Sequence, residues 1–498
     1  MVRQDASLRR GNAMTRRQQA EAAYPEIGQI IAGDFVSIEG RRAGDITDPA
    51  TGRVLGQYAF ATLEDLDRAI AGLAEGARAW QQMGAEARGR ILHDIARTMR
   101  DRSQSLADLV TLELGKPQRE ALAEVEQAAG MWDWAAEEGR RAYGRIIPSR
   151  ADGGRHMVLT EPLGPVAAFG SWNAPLITPS RKLSGALGAG CPIILKASEE
   201  VPACALAIGR IAIECGLPAG ALSIVTGDAE MISNTLLDAP EIRAVTFTGS
   251  TRIGKMLGQR ALASMKRPVL ELGGHAPVLI FDDVDVEKVA AGAVAAKYRN
   301  AGQVCISPTR FFVQRRIYQD FVDAFAARAG ALTVGDGFDD ATDMGPLIDP
   351  RRIAATQEFV VDAKQRGLPI PAGGTALHGP GSFHQPTVIA DAGPAALVAN
   401  QEPFGPIAAM APFDDYDQAI ALANRLPFAL AAYVWSGRVD VINRAVNDVQ
   451  AGSVIANGWR VSLPETPFGG QKESGLFAEG GMEGLAAFQQ TKYAFMGG

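Results

Sequence analysis

Two short stretches carry the chemistry of this chain: Asn300-Ala301-Gly302-Gln303-Val304-Cys305 and Val269-Leu270-Glu271-Leu272-Gly273-Gly274. A thiolate is the strongest side-chain nucleophile near neutral pH, and positive surroundings that lower its pKa increase its activity. Cys305 follows a Gly-Gln turn and precedes Ile306-Ser307-Pro308, a context that suits a reactive thiol as well as a small core residue. Glu271 interrupts an apolar run. Burial raises such a carboxyl toward the range of a general base, unless it serves as a structural residue bonded to backbone amides. Asn173, in Ser171-Trp172-Asn173-Ala174-Pro175, offers an amide donor able to hold an oxyanion, although Asn is also a common turn residue. A thiol, a carboxylate base and an amide donor are the parts that thiol-based oxidation of an aldehyde requires.

Two further segments suit a cofactor. Val245 to Lys255 reads as strand, tight turn and helix start around Gly249-Ser250, and free amides at a helix N-terminus bind phosphate. Gly249 to Lys255 also fits most of GxxxxGK, but Met256 stands where a triphosphate loop needs Ser or Thr, and GxGxxG is absent. Ile193 to Glu199 ends another strand with Lys196 and Glu199 three residues apart. A carboxylate there can accept both hydroxyls of an adenosine ribose and repel a 2′-phosphate; the alternative is a surface ion pair.

These groups must be positioned by a large framework. At 498 residues the chain exceeds one ordinary domain. The segment 63–140 is helical by pattern, and Ala142 to Thr160 reads as a hairpin turning at Asp152-Gly153-Gly154. Between 163 and 281 short apolar runs alternate with helical segments, the last being Val278–Phe281. A second series follows Cys305: Arg310–Val313, Thr387–Ile389, Ile407–Pro412, Ala431–Trp435 and Ser453–Ala456. Such alternation indicates βαβ units, so two α/β lobes joined near residue 271 are expected.

Composition narrows the function. A net charge of −7 argues against nucleic acid as a partner, and no apolar run approaches the roughly 20 residues needed to span a membrane. Residues 1–24 carry Arg3, Arg9, Arg10, Arg16 and Arg17 without a secretion-signal core; they are expected to be a loose tail, with Met14 an alternative start. Cys191, Cys204 and Cys215 read as core residues. The four cysteines form neither a CxxC pair nor a zinc pattern with the five histidines, so no metal and a cytoplasmic setting are expected.

Taken together, Phe169 to Pro175, Leu195 to Glu199, Phe247 to Gly254, Glu271 to Gly274 and Gly302 to Cys305 resemble the aldehyde dehydrogenase superfamily. Glu402-Pro403-Phe404-Gly405-Pro406 and Pro467-Phe468-Gly469-Gly470, running on to Ser474-Gly475, continue the match. The resemblance implies an α/β aldehyde dehydrogenase fold with a Rossmann-like NAD-binding domain (25–141 and 161–270) and a catalytic domain (271–485). It also implies a small oligomerisation element (142–160 and 486–498) and a homodimer or homotetramer. By the family's pattern Cys305 attacks the aldehyde, Asn173 and the Cys305 N–H hold the oxyanion, and Glu271 activates the water that hydrolyses the thioester. Lys196 and Glu199 would hold the adenosine ribose, Gly249 and Ser250 the pyrophosphate, and Trp172, Glu402 and Phe404 the nicotinamide side. Glu199 favours NAD over NADP. His275, Ala174, Ala429 and Gln401 depart from the pattern, where lysine, an aromatic, glycine and an acid are common.

The aldehyde is read from two arginines. Thr178-Pro179 suggests an N-cap and first helical residue, which puts Arg181 in the first turn. Arg299 lies six residues before Cys305. Both resemble positions where succinate-semialdehyde dehydrogenases bind the substrate's distal carboxylate, with Ser462 adding a hydroxyl and Phe468 lining the site. A carboxylate-bearing semialdehyde is the expected substrate. Aromatic or medium-chain aldehydes, a coenzyme-A-acylating relative and a non-catalytic member are the alternatives.

Overall fold

The apolar runs from residue 163 onward pack side by side in the computed structural model, which describes residues 14–150 and 153–497. Five parallel strands form the centre of one sheet, ordered Leu222–Val225, Ile193–Lys196, Val166–Phe169, Ala244–Thr248 and Arg267–Glu271. The first three of these are buried at every residue, as continuous apolar strands are when helices cover both faces. The chain builds outward from Val166–Phe169 on one side, then returns to its other side with Ala244–Thr248. Such a reversal opens a crevice at the strand ends, the usual ligand position in an open α/β sheet. Trp172-Asn173 and Gly249-Ser250 follow these two strands.

A second sheet holds six parallel strands: Thr387–Ile389, Ile407–Phe413, Pro308–Gln314, Ala276–Ile280, Ala431–Trp435 and Ser453–Ala456. The run near 278 therefore belongs to this sheet, not to the earlier series. The chain leaves the first sheet immediately after Glu271, through Gly273-Gly274. A Cβ at Gly274 would lie 2.5 Å from the Cys305 carbonyl oxygen, so only glycine lets the carboxylate strand run this close to the cysteine turn. The lobes are not separate in sequence, because the two-residue strand Gly475–Leu476 returns to pair antiparallel with Leu270-Glu271.

Four helices, Leu63–Gln82, Ala85–Asp101, Ser103–Leu114 and Gln118–Glu138, fill the segment read as helical. Trp80 and Trp132 are fully buried, and their indole N–H groups donate to the Leu187 carbonyl (2.9 Å) and the Ser180 hydroxyl (3.0 Å). Arg145–Ile147, Gly154–Pro162 and Gln489–Gly497 form a three-stranded antiparallel sheet; the turn expected at Asp152 lies partly outside the described residues.

The loose tail expected over 1–24 lies outside the described residues up to position 13; from there on the structure differs from it. Arg16–Ala22 is a helix with a Thr15/Gln18 capping box. Arg17 bridges Asp48 in the first lobe and Asp336 in the second, with Nε 2.7 Å from the latter, and Tyr24 donates to Glu113 at 2.6 Å. Among the described residues, no helix is long and apolar enough to cross a membrane.

Candidate active site

Between the lobes lies a cavity of about 700 Å³. Cys305, Glu271, Asn173, Trp172, Gly249, Ser250, Glu402 and Phe404 all line it, as do Arg181, Arg299, Ser462 and Phe468. Lys196 and Glu199 do not; they pair with each other at the end of their strand.

Cys305 is presented by a left-handed turn, with φ of 49°, 53° and 72° at Asn300, Ala301 and Gly302. Such a run strains side-chain-bearing residues, and hydrogen bonds hold it. The Asn300 amide donates to the Asn173 carbonyl (2.9 Å) and the Gln303 carbonyl (3.2 Å). Gln303, fully buried, donates to the Asn300 and Pro346 carbonyls (3.1 and 3.3 Å) and accepts from the Ile348 N–H (3.0 Å). Asn173 donates one amide proton to the Gln303 carbonyl at 3.1 Å, and the other has no acceptor among the described residues. Burial pushes the Cys305 thiol up to about 12; Glu271 and Glu402 add to that rise, and Arg181 opposes it. Burial, with the two carboxylates adding to it, thus outweighs Arg181.

Glu271 is 2% exposed, and neither of its carboxylate oxygens has a hydrogen-bond partner among the described residues. It is therefore not tied to backbone amides. Burial first, then Glu479, holds its carboxyl well above the usual range, against Arg181 and Lys182. Near it Lys182, Glu479 and Thr246 form a buried triad: Lys182 Nζ donates to Glu479 (2.6 Å) and Thr246 (3.0 Å), and the Thr246 hydroxyl donates to Glu479 (2.7 Å). Sequence reasoning missed this triad; a lysine inside an apolar helix was its one visible sign.

On the cofactor side, Ser250 caps the 13-residue helix Thr251–Ala263 yet makes no side-chain capping bond, so its hydroxyl and the helix N-terminus both open onto the cavity. Trp172 and Phe404 meet edge to face at 5.5 Å. Burial pushes Glu402 up to about 8 and Lys297, behind the cysteine turn, down to about 7. These groups fit a dinucleotide with its pyrophosphate on the helix N-terminus. Lys255 points elsewhere, paired with Glu473 at 2.7 Å, which removes the triphosphate-loop alternative.

Arg181 is 7% exposed, lies 4.1 Å over the Phe468 ring and donates to the Ser462 hydroxyl. No carboxylate pairs with it among the described residues. Its helix begins at Ile177, ahead of the expected Thr178-Pro179 start; Glu124 of a neighbouring helix accepts the Leu176 and Ile177 N–H groups in place of a local cap. Arg299 is exposed, with no side-chain hydrogen bond or ion pair among the described residues. Among the departures, His275 is buried, facing the Thr309 hydroxyl (2.7 Å) and the Val398 carbonyl (3.0 Å), with burial holding it neutral; Ala174 lines the cavity.

Residues 35–494 match the aldehyde dehydrogenase family model. The chain is 43% identical to a putative 4-(hydroxymethyl)benzenesulfonate dehydrogenase of Comamonas testosteroni, covering 94% of this chain and 97% of the relative. It is 38% identical to the NADP⁺-type succinate-semialdehyde dehydrogenase of Escherichia coli K12, with the same coverage. The crystal structure of succinate-semialdehyde dehydrogenase from Burkholderia pseudomallei superposes with a TM-score of 0.93 at 35% identity, covering 98% of this chain and 100% of that one. With its cysteine, carboxylate and dinucleotide crevice in one cavity, the chain belongs to the aldehyde dehydrogenase family and is an NAD(P)-dependent oxidoreductase acting on an aldehyde.

Proposed function

We propose that this enzyme oxidises an aldehyde carrying a distal anion, a semialdehyde such as succinate semialdehyde before others, to the acid with NAD. One observation carries the reading: Arg181 is a buried guanidinium without a carboxylate partner among the described residues, aimed at the same cavity as Cys305. An unpaired buried charge is costly, and a substrate anion offsets that cost through charge-assisted hydrogen bonds. Ser462 orients the guanidinium, Phe468 stacks under it, and Arg299 supplies a second positive charge from the mouth.

In this mechanism Cys305 gives its proton to a solvent water in the cavity, and the thiolate attacks the aldehyde carbon. The alkoxide accepts hydrogen bonds from the second Asn173 amide proton and the Cys305 N–H. When bound, the nicotinamide supplies the hydride acceptor, leaving the acyl group on Cys305 as a thioester. Glu271 then takes a proton from the attacking water, and collapse of the tetrahedral adduct expels the Cys305 thiolate and releases the acid. The unpartnered Glu271 oxygens support hydrolysis over acyl transfer to coenzyme A, which needs no such base. Ser250 with the amides after Gly249 would hold the pyrophosphate, and Trp172, Glu402 and Phe404 the nicotinamide half. Glu199 would hold the ribose, disfavouring a 2′-phosphate and hence NADP.

Ala174 supports a second reading, an aromatic aldehyde bearing an anion on its ring, since a methyl there leaves room and guanidinium binds sulfonate as well as carboxylate. That fits the 43% identical relative named for a benzenesulfonate. A kinetic panel of succinate semialdehyde, 4-sulfobenzaldehyde, butanal and benzaldehyde with NAD and NADP tests both. Anionic substrates should exceed neutral ones of like size by about tenfold or more in kcat/KM, the worth of one charge-assisted hydrogen bond. Equal values overturn the reading.

The three-stranded sheet would serve as contact for a second copy of the chain, because Ile146, Tyr493, Phe495 and Met496 leave large apolar surface on it exposed. Light scattering reads the resulting mass; a monomer at micromolar concentration would refute this.

A further inference from the structure

Glu120, Glu124 and Gln127 occupy one face of the Gln118–Glu138 helix, at the three- and four-residue spacing that stacks side chains along a helix, and all three line the cavity. Each bonds to a different segment of the site. Glu120 accepts the Asn300 N–H at 2.9 Å, inside the left-handed turn between Arg299 and Cys305. Glu124 accepts the Leu176 and Ile177 N–H groups at 3.0 and 3.3 Å, at the open end of the helix carrying Arg181, with Lys116 balancing its charge. Gln127 donates from Nε2 to the Ser462 carbonyl at 2.6 Å and lies 3.2 Å from the Ser462 hydroxyl.

Three separate pieces of chain thus meet the same helix face, and each bears one group of the anion site. Ser462 is the most dependent of them. It sits at φ 72°, a conformation unfavourable for an L-residue, in a loop without regular structure. Its hydroxyl accepts the Arg181 bond, so the direction of the guanidinium follows the position of this loop.

We propose that this polar row sets the enzyme's acceptance of anionic aldehydes, with Gln127 the positioning residue that holds Ser462 and, through it, Arg181. The inference rests on the reading of Arg181 and Ser462 as the anion site. Gln127 touches neither the reacting carbon nor the thiol; it acts on the geometry of the remote end of the substrate.

The test compares Gln127→Met, close in volume but without a donor, with the parent enzyme on succinate semialdehyde and on butanal, using Arg181→Met as reference. Gln127→Met should raise KM for succinate semialdehyde about tenfold with kcat within twofold, and leave butanal kcat/KM within twofold. In a Ser462→Gly background, where the backbone tolerates the left-handed conformation unaided and the hydroxyl is gone, Gln127→Met should add less than twofold. If Gln127→Met fails to fold, Gln127→Leu, which also lacks the donor, read on the same two aldehydes decides the matter. Equal losses on both aldehydes, no loss on either, or full additivity with Ser462→Gly overturns the inference. If Arg181→Met is selective while Gln127→Met is not, only this inference falls; if Arg181→Met is itself unselective, the anion-site reading falls with it.

Discussion

At neutral pH a thiol held near 12 is protonated, and Glu271 gives up its proton only at a pH well above that of an ordinary glutamate. If Glu271 is the base for hydrolysis, kcat should fall as pH is lowered, with a midpoint above the usual glutamate range. Glu271→Gln should flatten that limb and lower kcat by about 100-fold or more, while a first-turnover burst of NADH survives in stopped flow. An unchanged acid limb in the variant would remove Glu271 from that role. The same burial predicts a stability effect. Between the unfolded glutamate value and the raised native one, the native state holds more protons than the unfolded state, so stability falls as pH rises through this window. Glu271→Gln should therefore gain more Tm at pH 8 than at pH 5; equal shifts would refute this. The sequence made Cys305, Glu271 and Asn173 visible because each breaks its local pattern. It could not show that burial, with Glu271 and Glu402 converging on the thiol, would raise its pKa, because that depends on strands from distant parts of the chain.

At the scale of elements, the loop holding Ser462 and the turn holding Cys305 both contain side-chain-bearing residues in the left-handed region. Ser462→Gly relieves that strain but removes the hydroxyl that accepts from Arg181. The expected result is a Tm equal to or slightly above the parent, with KM for succinate semialdehyde raised about tenfold. A lowered Tm together with an unchanged KM would contradict it. Parallel strands were legible as Val-, Ile- and Leu-rich runs, since burial on both faces leaves no polar alternation to confuse them. Two features had no sequence signal. Gly475–Leu476 is too short to show any period, and the start of the Arg181 helix is capped by Glu124 from another helix, so Thr178-Pro179 misplaced it.

At the scale of the whole molecule, the ties between the lobes that enclose the cavity include the passage from Glu271 to Ala276, the returning strand Gly475–Leu476, and Arg17 between Asp48 and Asp336. Arg17→Ala should lower Tm by about 2–4 °C, as loss of a partly buried charged network does in a chain of this size. Calorimetry at low and high salt would detect it, and an unchanged Tm at both would show the contact to be dispensable. Asp48 and Asp336 also differ in when they become available. Asp48 follows Arg17 closely, whereas Asp336 lies 319 residues later. At roughly 5–20 residues per second of synthesis, the first helix waits on the order of tens of seconds for its second anchor. During that interval the nascent first lobe carries an arginine whose final partner does not yet exist, so the last docking of its oldest helix waits on residues among its younger ones.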